Sequence, residues 1–399
     1  MRNFFTFLAL ILVFTSCSKN NIRSINREDL FTLDIGRLED QIDLFNLEGE
    51  RSIRKTGITM RDGLFYISDG NGQKVARFTS YGDLLFMIYN EETNPPPLTL
   101  KPGNGEGGQV TRWATAYPLR EPGEITVDSR KHIYLEDRLP PDRHSFDPEL
   151  KVLLDSTVLH FDTNGNFIEY LGRDGLGGSP FPRINRIFTT VHDEIAVVCR
   201  LPSGWNIYWF NAEGTLLYSI PILNSELPIP PDQDFFPSAD SISIAPDERK
   251  VYLKVDYYKS TYDESTNTKS GIAFDNSIIW VMNVETGIYE SMIEIPLFEQ
   301  TYVENNRKFS ESLIYSMVGV VKNRWVFLFV PVDGGYSLLV VRENSQEQRR
   351  GFIHVDNDEL QFNAFSVSDE GILSGLLAND WEARIVWWRS DSLIGEIVP

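Results

Sequence analysis

Four oxygen-bearing side chains stand at comparable points of the chain, close to the start of short apolar runs. Asn185, Asp240 and Asn363 occupy equivalent positions ahead of three such runs, and Glu124 lies one position further along in a fourth. If these runs are strands around a common axis, the four oxygens converge at one end of it. Such oxygens suit Ca²⁺, which can polarise a carbonyl group. Asn and Asp at strand starts also satisfy local backbone donors, and this alternative stays open.

The other chemically capable residues form no recognisable catalytic motif. The chain lacks Gly-x-Ser-x-Gly, His-Glu-x-x-His and Cys-x-x-Cys sequences. No metal-ligand spacing relates the five histidines, which are His132, His144, His160, His192 and His354. We therefore expect no catalytic residues and no cofactor, except for Ca²⁺ in the case that the four oxygens form a site.

Cys17 points to a covalent modification. Phe4–Phe14 is an apolar run behind Arg2 that is too short to span a bilayer but suits a signal-peptide core. It leads into Val-Phe-Thr-Ser-Cys, which resembles the lipobox of bacterial lipoproteins. Residues 1–16 are then a signal peptide and 17–29 a tether anchored by acyl chains on Cys17. The expected location is the bacterial cell envelope, facing the periplasm; ordinary secretion is the alternative.

Charge and cysteine content narrow the possible partners. The formal net charge is −20, from 57 acidic and 37 basic residues, which argues against binding to nucleic acid or to anionic lipid surfaces. Apart from Cys17, the only cysteine is Cys199, in an apolar run where a small core side chain is expected. No disulfide framework is available, so the fold must depend on its hydrophobic core.

The remaining chain shows six repeated units of four short strands separated by polar turns, which predicts an all-β fold. The architecture expected for residues 30–399 is a six-bladed β-propeller with four-stranded antiparallel blades. The predicted first strands of the units are Thr56–Met60, Glu124–Val127, Arg186–Val191, Ser241–Ala245, Leu313–Val321 and Ala364–Val367. Phe31–Ile35 and Leu393–Val398 both suit the last strand of the sixth unit, and the sequence does not decide between them.

Two of the units carry a more specific phrase. Tyr66-Ile67-Ser68-Asp69 is followed by Asn71, Lys74-Val75, Phe78 and Gly82, and Ile133-Tyr134 with Asp137, Phe161-Asp162 and Gly165 repeats this pattern. The phrase resembles the NHL repeat, so the chain is similar to NHL/TolB-like six-bladed propeller lipoproteins of the spirochaete type. The resemblance implies a propeller fold, and the family includes scaffolds, peptide binders and lactonase-like hydrolases, so it does not select a function.

Long connections are predicted on one face of the propeller only, which indicates a built surface. They are Glu91–Pro122, Arg138–Thr157, Leu223–Asp240, Tyr257–Asn276 and Phe298–Glu311. Their candidate partner contacts are Trp113, Tyr117, His144, Phe146, Phe235, Phe236, Tyr258 and Tyr262, although each could instead pack its loop onto the rim. We expect a monomeric, non-enzymatic binding or scaffold propeller for an envelope protein or peptide. The alternative is a calcium-dependent, lactonase-like hydrolase.

Overall fold

A computed structural model describes residues 23–45, 54–103, 112–172, 180–231, 234–263, 265–266, 268–304, 307–345 and 347–395. The predicted signal peptide and Cys17 lie outside these residues. Within the part of the chain that is described, no helix is long and apolar enough to cross a membrane.

Six sheets with at least four strands each follow one another along the chain. Sheet 1 contains Thr56–Arg61, Leu64–Asp69, Lys74–Thr79 and Leu84–Tyr89, with Trp113–Ala116 and Lys101–Pro102 added at its outer edge. Sheet 2 contains Ile125–Val127, Ile133–Arg138, Ser156–Phe161 and Phe167–Tyr170. Sheet 3 contains Ile184–Thr189, Ile195–Leu201, Gly204–Phe210 and Leu216–Leu223.

The second half of the chain continues this pattern. Sheet 4 contains Phe236–Ile244, Lys250–Tyr262, Lys269–Asn283 and Tyr289–Ile295. Sheet 5 contains Ser316–Val321, Trp325–Val332, Gly335–Arg342 and Gln348–His354, with Arg23–Ser24 at its outer edge. Sheet 6 contains Phe362–Val367, Leu373–Ala378, Glu382–Trp388 and Arg27–Ile35, with Gln41–Ile42 outermost.

The other elements are short. Two separate hairpins pair Ser145–Asp147 with Val152–Leu154 and Phe298–Glu304 with Arg307–Leu313. Single 3₁₀ turns span Pro141–Arg143, Asn224–Glu226, Lys322–Arg324 and Asn357–Glu359, and the short α-helix is Asp391–Ile394. Local turn chemistry explains the tight connections: Asp62 and Gly63 both have positive φ, at 51° and 72°, as a two-residue type I′ hairpin turn requires.

The first strands of all six sheets line one central channel of about 450 Å³. Apolar side chains pack between successive sheets, as where Trp209 of sheet 3 and Leu253 of sheet 4 share one cluster. Antiparallel four-stranded sheets around a channel define a β-propeller, so the predicted all-β propeller fold is confirmed. The count of six blades stays a prediction, because the sheets differ in strand number and two hairpins stand apart from them.

The N-terminal segment completes sheet 6. Arg27–Ile35 pairs antiparallel with Glu382–Trp388, while Arg23–Ser24 pairs with the outer strand of sheet 5. Ile25 and Leu33 are buried in these contacts. The predicted tether at 17–29 therefore extends too far, because its last residues satisfy their backbone groups in two sheets. Residues 391–394 form a helix rather than a competing strand.

Strand order places the connections on two faces. The long-loop face holds the connections between second and third strands and those between successive sheets; the turn face holds the others. Several predicted loops contain strands, which corrects the prediction. Within 257–276 the strands of sheet 4 continue, and within 298–311 there is a hairpin. Ladder pairing satisfies the backbone N–H and C=O groups that long loops would leave unpaired.

Candidate functional site

The channel mouth on the long-loop face holds two of the four candidate metal ligands. Glu124 and Asn363 line the central channel, together with Thr56 and Arg186. Burial raises the pKa of Glu124, and the positive charges of Arg186 and Lys55 partly offset this effect. At the channel mouth, the carboxyl group of Glu124 therefore already has two cationic neighbours, Arg186 and Lys55.

The other two candidates lie elsewhere. Asn185 and Asp240 line a separate cleft of about 440 Å³ on the long-loop face. Asp240 Oδ2 accepts a hydrogen bond from Lys254 Nζ at 3.1 Å, and Lys254 also donates to Asp256 Oδ1 at 2.7 Å. Because Lys254 is buried between these two carboxylates, it neutralises the charge that a Ca²⁺ ion would use.

The structure therefore does not place the four candidate metal ligands in the same cavity. Among the described residues, no group of three or more His, Cys, Asp or Glu side chains is arranged to hold a metal ion. A calcium site that also uses Asn185 and Asn363 stays a prediction.

On the long-loop face, sheet 3 projects less far than its two neighbours, sheets 2 and 4. Its second and third strands are joined by the two residues Pro202 and Ser203. The same connection in sheet 2 spans 139–155 and includes a hairpin, and in sheet 4 the two strands run on to Tyr262 and from Lys269. A groove therefore lies over sheet 3, and we call it the sheet 3 groove.

Two cavities meet at the sheet 3 groove, and the first of them is lined mainly by residues of sheet 2 and of the segments that lead into sheets 1 and 2, with Arg183 from just before sheet 3. The first, of about 710 Å³, is also lined by Val152 and Leu153 of the sheet 2 hairpin. The other is the 440 Å³ cleft, which reaches Tyr258 of sheet 4. Both are lined by Lys55 and Arg183, so they adjoin at these two side chains.

Sequence analysis missed the two arginines at the centre of this groove. Arg183 precedes the first strand of sheet 3, and Arg200 lies opposite it on the second strand, with Arg200 N donating to Arg183 O at 2.9 Å. The Arg200 guanidinium lies 4.2 Å from the centre of the Trp205 ring. Counting outward from the turn at 190–194 would have paired 200 with 184, because a bulge between Ile184 and Arg186 shifts the register by one residue.

Several aromatic candidates pack internally. Trp113 is buried, stacks near Phe86 and donates its indole N–H to Asn164 O at 2.7 Å. Phe235 is buried against Tyr257. Their role is to hold connections against the sheets, so neither ring is accessible to a partner in this arrangement.

Three further candidates are partly covered. Tyr117 packs edge-on against Phe161, Tyr258 packs edge-on against Phe274, and the His144 ring nitrogen Nε2 lies 2.8 Å from Leu139 O. The Tyr117 contact joins a connection to a strand of sheet 2, the Tyr258 contact joins two strands of sheet 4, and the His144 contact lies within the connection 139–155.

The remaining candidates are exposed on the long-loop face. Phe146 is 64% exposed, Tyr262 is 58% exposed and Phe236 is 43% exposed, with Lys269 Nζ over its ring. Trp381, between the second and third strands of sheet 6, is 81% exposed on the same face and was not among the candidates. These side chains give the face an accessible apolar surface.

The repeated acidic residue of the NHL-like phrase has a structural role. Asp137 accepts hydrogen bonds from the backbone N–H groups of Arg120 and Glu121, which lead into sheet 2. Asp69 likewise accepts from Asp43 N, in the segment before sheet 1. Burial raises the pKa of Asp137 to about 7 and that of Asp69 to about 6, although these backbone donors partly oppose the shift.

The comparison with known proteins identifies no family for this chain. No protein-family model and no curated protein matches the chain, and the resemblance to NHL repeats stays a prediction.

Solved structures with a similar fold are remote. A gluconolactonase from Xanthomonas campestris has 10% identity and a TM-score of 0.39, over 92% of this chain and 97% of that one. A protein of unknown function from Dyadobacter fermentans has 10% identity and a TM-score of 0.41, over 91% and 99%. The WD40 domain of Toxoplasma gondii coronin has 8% identity and a TM-score of 0.36, over 92% and 87%. Likeness at these scores carries no argument about function.

Proposed function

We propose that this protein is a binding propeller that recruits a protein or peptide partner across its long-loop face. In this proposal the six sheets act as six blades of one rigid support, and the connections on one face form the contact surface. The mechanism is surface complementarity without covalent chemistry.

The observation that carries the proposal is the accessible apolar surface on that face. Phe146, Tyr262, Ile272 and Trp381 are each more than half exposed, and all four lie in or beside connections between second and third strands. These four side chains lie on sheets 2, 4 and 6 or their connections, on one face, and aromatic residues dominate the binding energy of protein interfaces.

Rigid support of these side chains favours binding. Phe146 lies on a paired hairpin, and Tyr262 and Ile272 lie on strands that extend a sheet. Side chains held on paired strands lose less conformational entropy on binding than those on open loops.

Site-specific photo-crosslinking tests this proposal. A benzophenone amino acid at Phe146 should give a discrete adduct in native membranes, whereas the same group at Tyr81 should give none. Tyr81 is the matched control, because it is 89% exposed but lies on the turn face. Adducts from both positions, or from neither, would contradict a partner site on the long-loop face.

The proposal includes anchoring through Cys17 in the bacterial envelope, which follows from the signal-like sequence 1–16. A Cys17→Ser variant should move from the membrane fraction to the soluble fraction when expressed with its full leader. Retention of the variant in the membrane would exclude acylation of Cys17 as the anchor.

The calcium-dependent hydrolase is less well supported. Lys254 already pairs with Asp240, and Arg186 and Lys55 act on Glu124, so both carboxylates have cationic neighbours. Binding across the long-loop face is therefore the function that we propose.

A further inference from the structure

We infer that the partner presents an acidic segment, which lies in the sheet 3 groove and pairs its carboxylates with Arg183 and Arg200. This inference rests on the proposed binding function and specifies the chemistry of the partner.

The charges on the sheet 2 side of the groove are already paired. Glu136 binds Lys55 at 2.8 Å, and Arg138 binds both Glu121 and Asp155 at 3.1 and 3.0 Å. The last carboxyl on this side, that of Asp137, accepts only backbone N–H groups among its described hydrogen bonds. Among the described acidic residues that line this side, only Asp137 is in no ion pair, and it is buried.

The acidic residues on the sheet 4 side of the groove are also paired. The two acidic residues there, Asp240 and Asp256, share the ammonium group of Lys254. Within the described residues, Arg183 and Arg200 have no side-chain hydrogen bond or ion pair with a carboxylate, and both are exposed. The groove thus has two unpaired positive charges, although the whole chain has a formal charge of −20.

The placement of these charges has a cost for folding. Arg183 and Arg200 are neighbours across two antiparallel strands and line the same cleft. Like charges directly across a strand pair destabilise a sheet. An incoming carboxylate would remove this repulsion and would accept charge-assisted hydrogen bonds from the guanidinium groups.

The walls of the groove favour a peptide over a small anion. Val152 and Leu153 line one side and Tyr258 the other, and Trp205 lies under Arg200. The two adjoining cavities, of about 710 and about 440 Å³, provide an elongated space. An extended segment that alternates acidic and apolar side chains matches both the charges and the walls.

Binding to an immobilised array of random octapeptides tests the inference, with the purified chain as the probe. Peptides bound by the wild type should be enriched in Asp and Glu. For individual synthetic peptides, Arg183→Ala and Arg200→Ala should each weaken binding by about tenfold or more, and replacing the peptide Asp residues by Asn should do the same.

Arg342→Ala is the matched control. Arg342 is also an exposed arginine over a tryptophan ring, 5.5 Å from the centre of Trp325, but it lies at the turn-face end of sheet 5. This variant should leave peptide binding unchanged. The melting temperatures of the Arg183 and Arg200 variants should equal or exceed that of the wild type, because substitution removes the repulsion between the two arginines.

Three results would overturn the inference: no bound peptide, bound peptides without acidic enrichment, or enrichment that persists in the Arg183→Ala/Arg200→Ala double variant. If the Phe146 crosslink still forms in these cases, the binding propeller stands and only the acidic groove fails. If the crosslink is also absent, the proposed function fails with it.

Discussion

Arg27 and Glu359 form a two-pronged ion pair between the N-terminal strand and the segment that leads into sheet 6. Arg27 Nη1 donates to Glu359 Oε2 at 2.6 Å, and Nη2 donates to Oε1 at 2.7 Å. Burial disfavours the charge of Glu359, but the hydrogen bonds and charge of Arg27, together with the Asp356 N–H and the charge of Arg384, outweigh it and lower the pKa of the carboxyl. The pair therefore fixes the strand that completes the last sheet.

Removing Arg27 should loosen this closure. Arg27→Ala leaves a buried carboxylate with Arg384, at 3.1 Å, as its cationic partner and the Asp356 N–H as a further donor, so we expect a loss of about 2–3 kcal/mol in the free energy of unfolding. Urea denaturation measures it, and hydrogen exchange should rise first in 27–35. Arg389→Ala removes an exposed pair with Asp391 and should cost less than about 1 kcal/mol. Equal losses in both variants would contradict a closing role for Arg27.

Gly165 should tolerate no side chain. Its φ of +79° disfavours other residues, and a Cβ there would overlap the ring of Phe86 in sheet 1. Gly63 has a similar φ of +72°, but no atom lies within 4 Å of its Cβ position. We expect Gly63→Ala to cost about 1 kcal/mol and Gly165→Ala about 3 kcal/mol in unfolding free energy. Similar costs at the two positions would show that Phe86 moves aside.

Asp137 should make stability depend on pH. Its pKa rises from 3.8 to about 7 on folding, so the folded state binds the proton more tightly and loses stability as pH rises from about 4 to about 7. The loss is on the order of 3 kcal/mol. Asp137→Asn can keep an oxygen acceptor for the backbone donors, and its stability should change less over this range. Parallel pH profiles of wild type and variant would contradict the raised pKa.

Substituting an exposed aromatic residue should reduce binding without affecting stability, whereas substituting a buried one should reduce stability. Phe146→Ser should leave the unfolding midpoint unchanged but reduce partner capture, because its ring contacts solvent. Trp113→Ala should cost about 3 kcal/mol or more in unfolding free energy, because it removes a buried ring and its hydrogen bond to Asn164. Chemical denaturation and crosslinking yield measure the two effects. A large stability loss in Phe146→Ser would argue against a contact role.

Local patterns in the sequence determined the sheets. Alternating apolar residues and turn pairs such as Asp62-Gly63 depend only on neighbours in the chain, because side-chain direction in a strand has a period of two. The all-β fold with its repeated short strands and tight turns could therefore be predicted. The core position of Cys199 was also predicted from its apolar run, and the thiol is buried.

Contacts between distant segments were decided only by the tertiary structure. Whether Phe31–Ile35 or the C-terminal segment completed sheet 6 depended on a competition for one sheet edge, and partners such as Arg27 and Glu359, 332 residues apart, settle it in the fold. Asn185 and Asp240 line a different cavity from Glu124, because equivalent positions in a repeat can face different cavities. Arg183 and Arg200 became neighbours because strand pairing brings together side chains that composition alone describes as scattered.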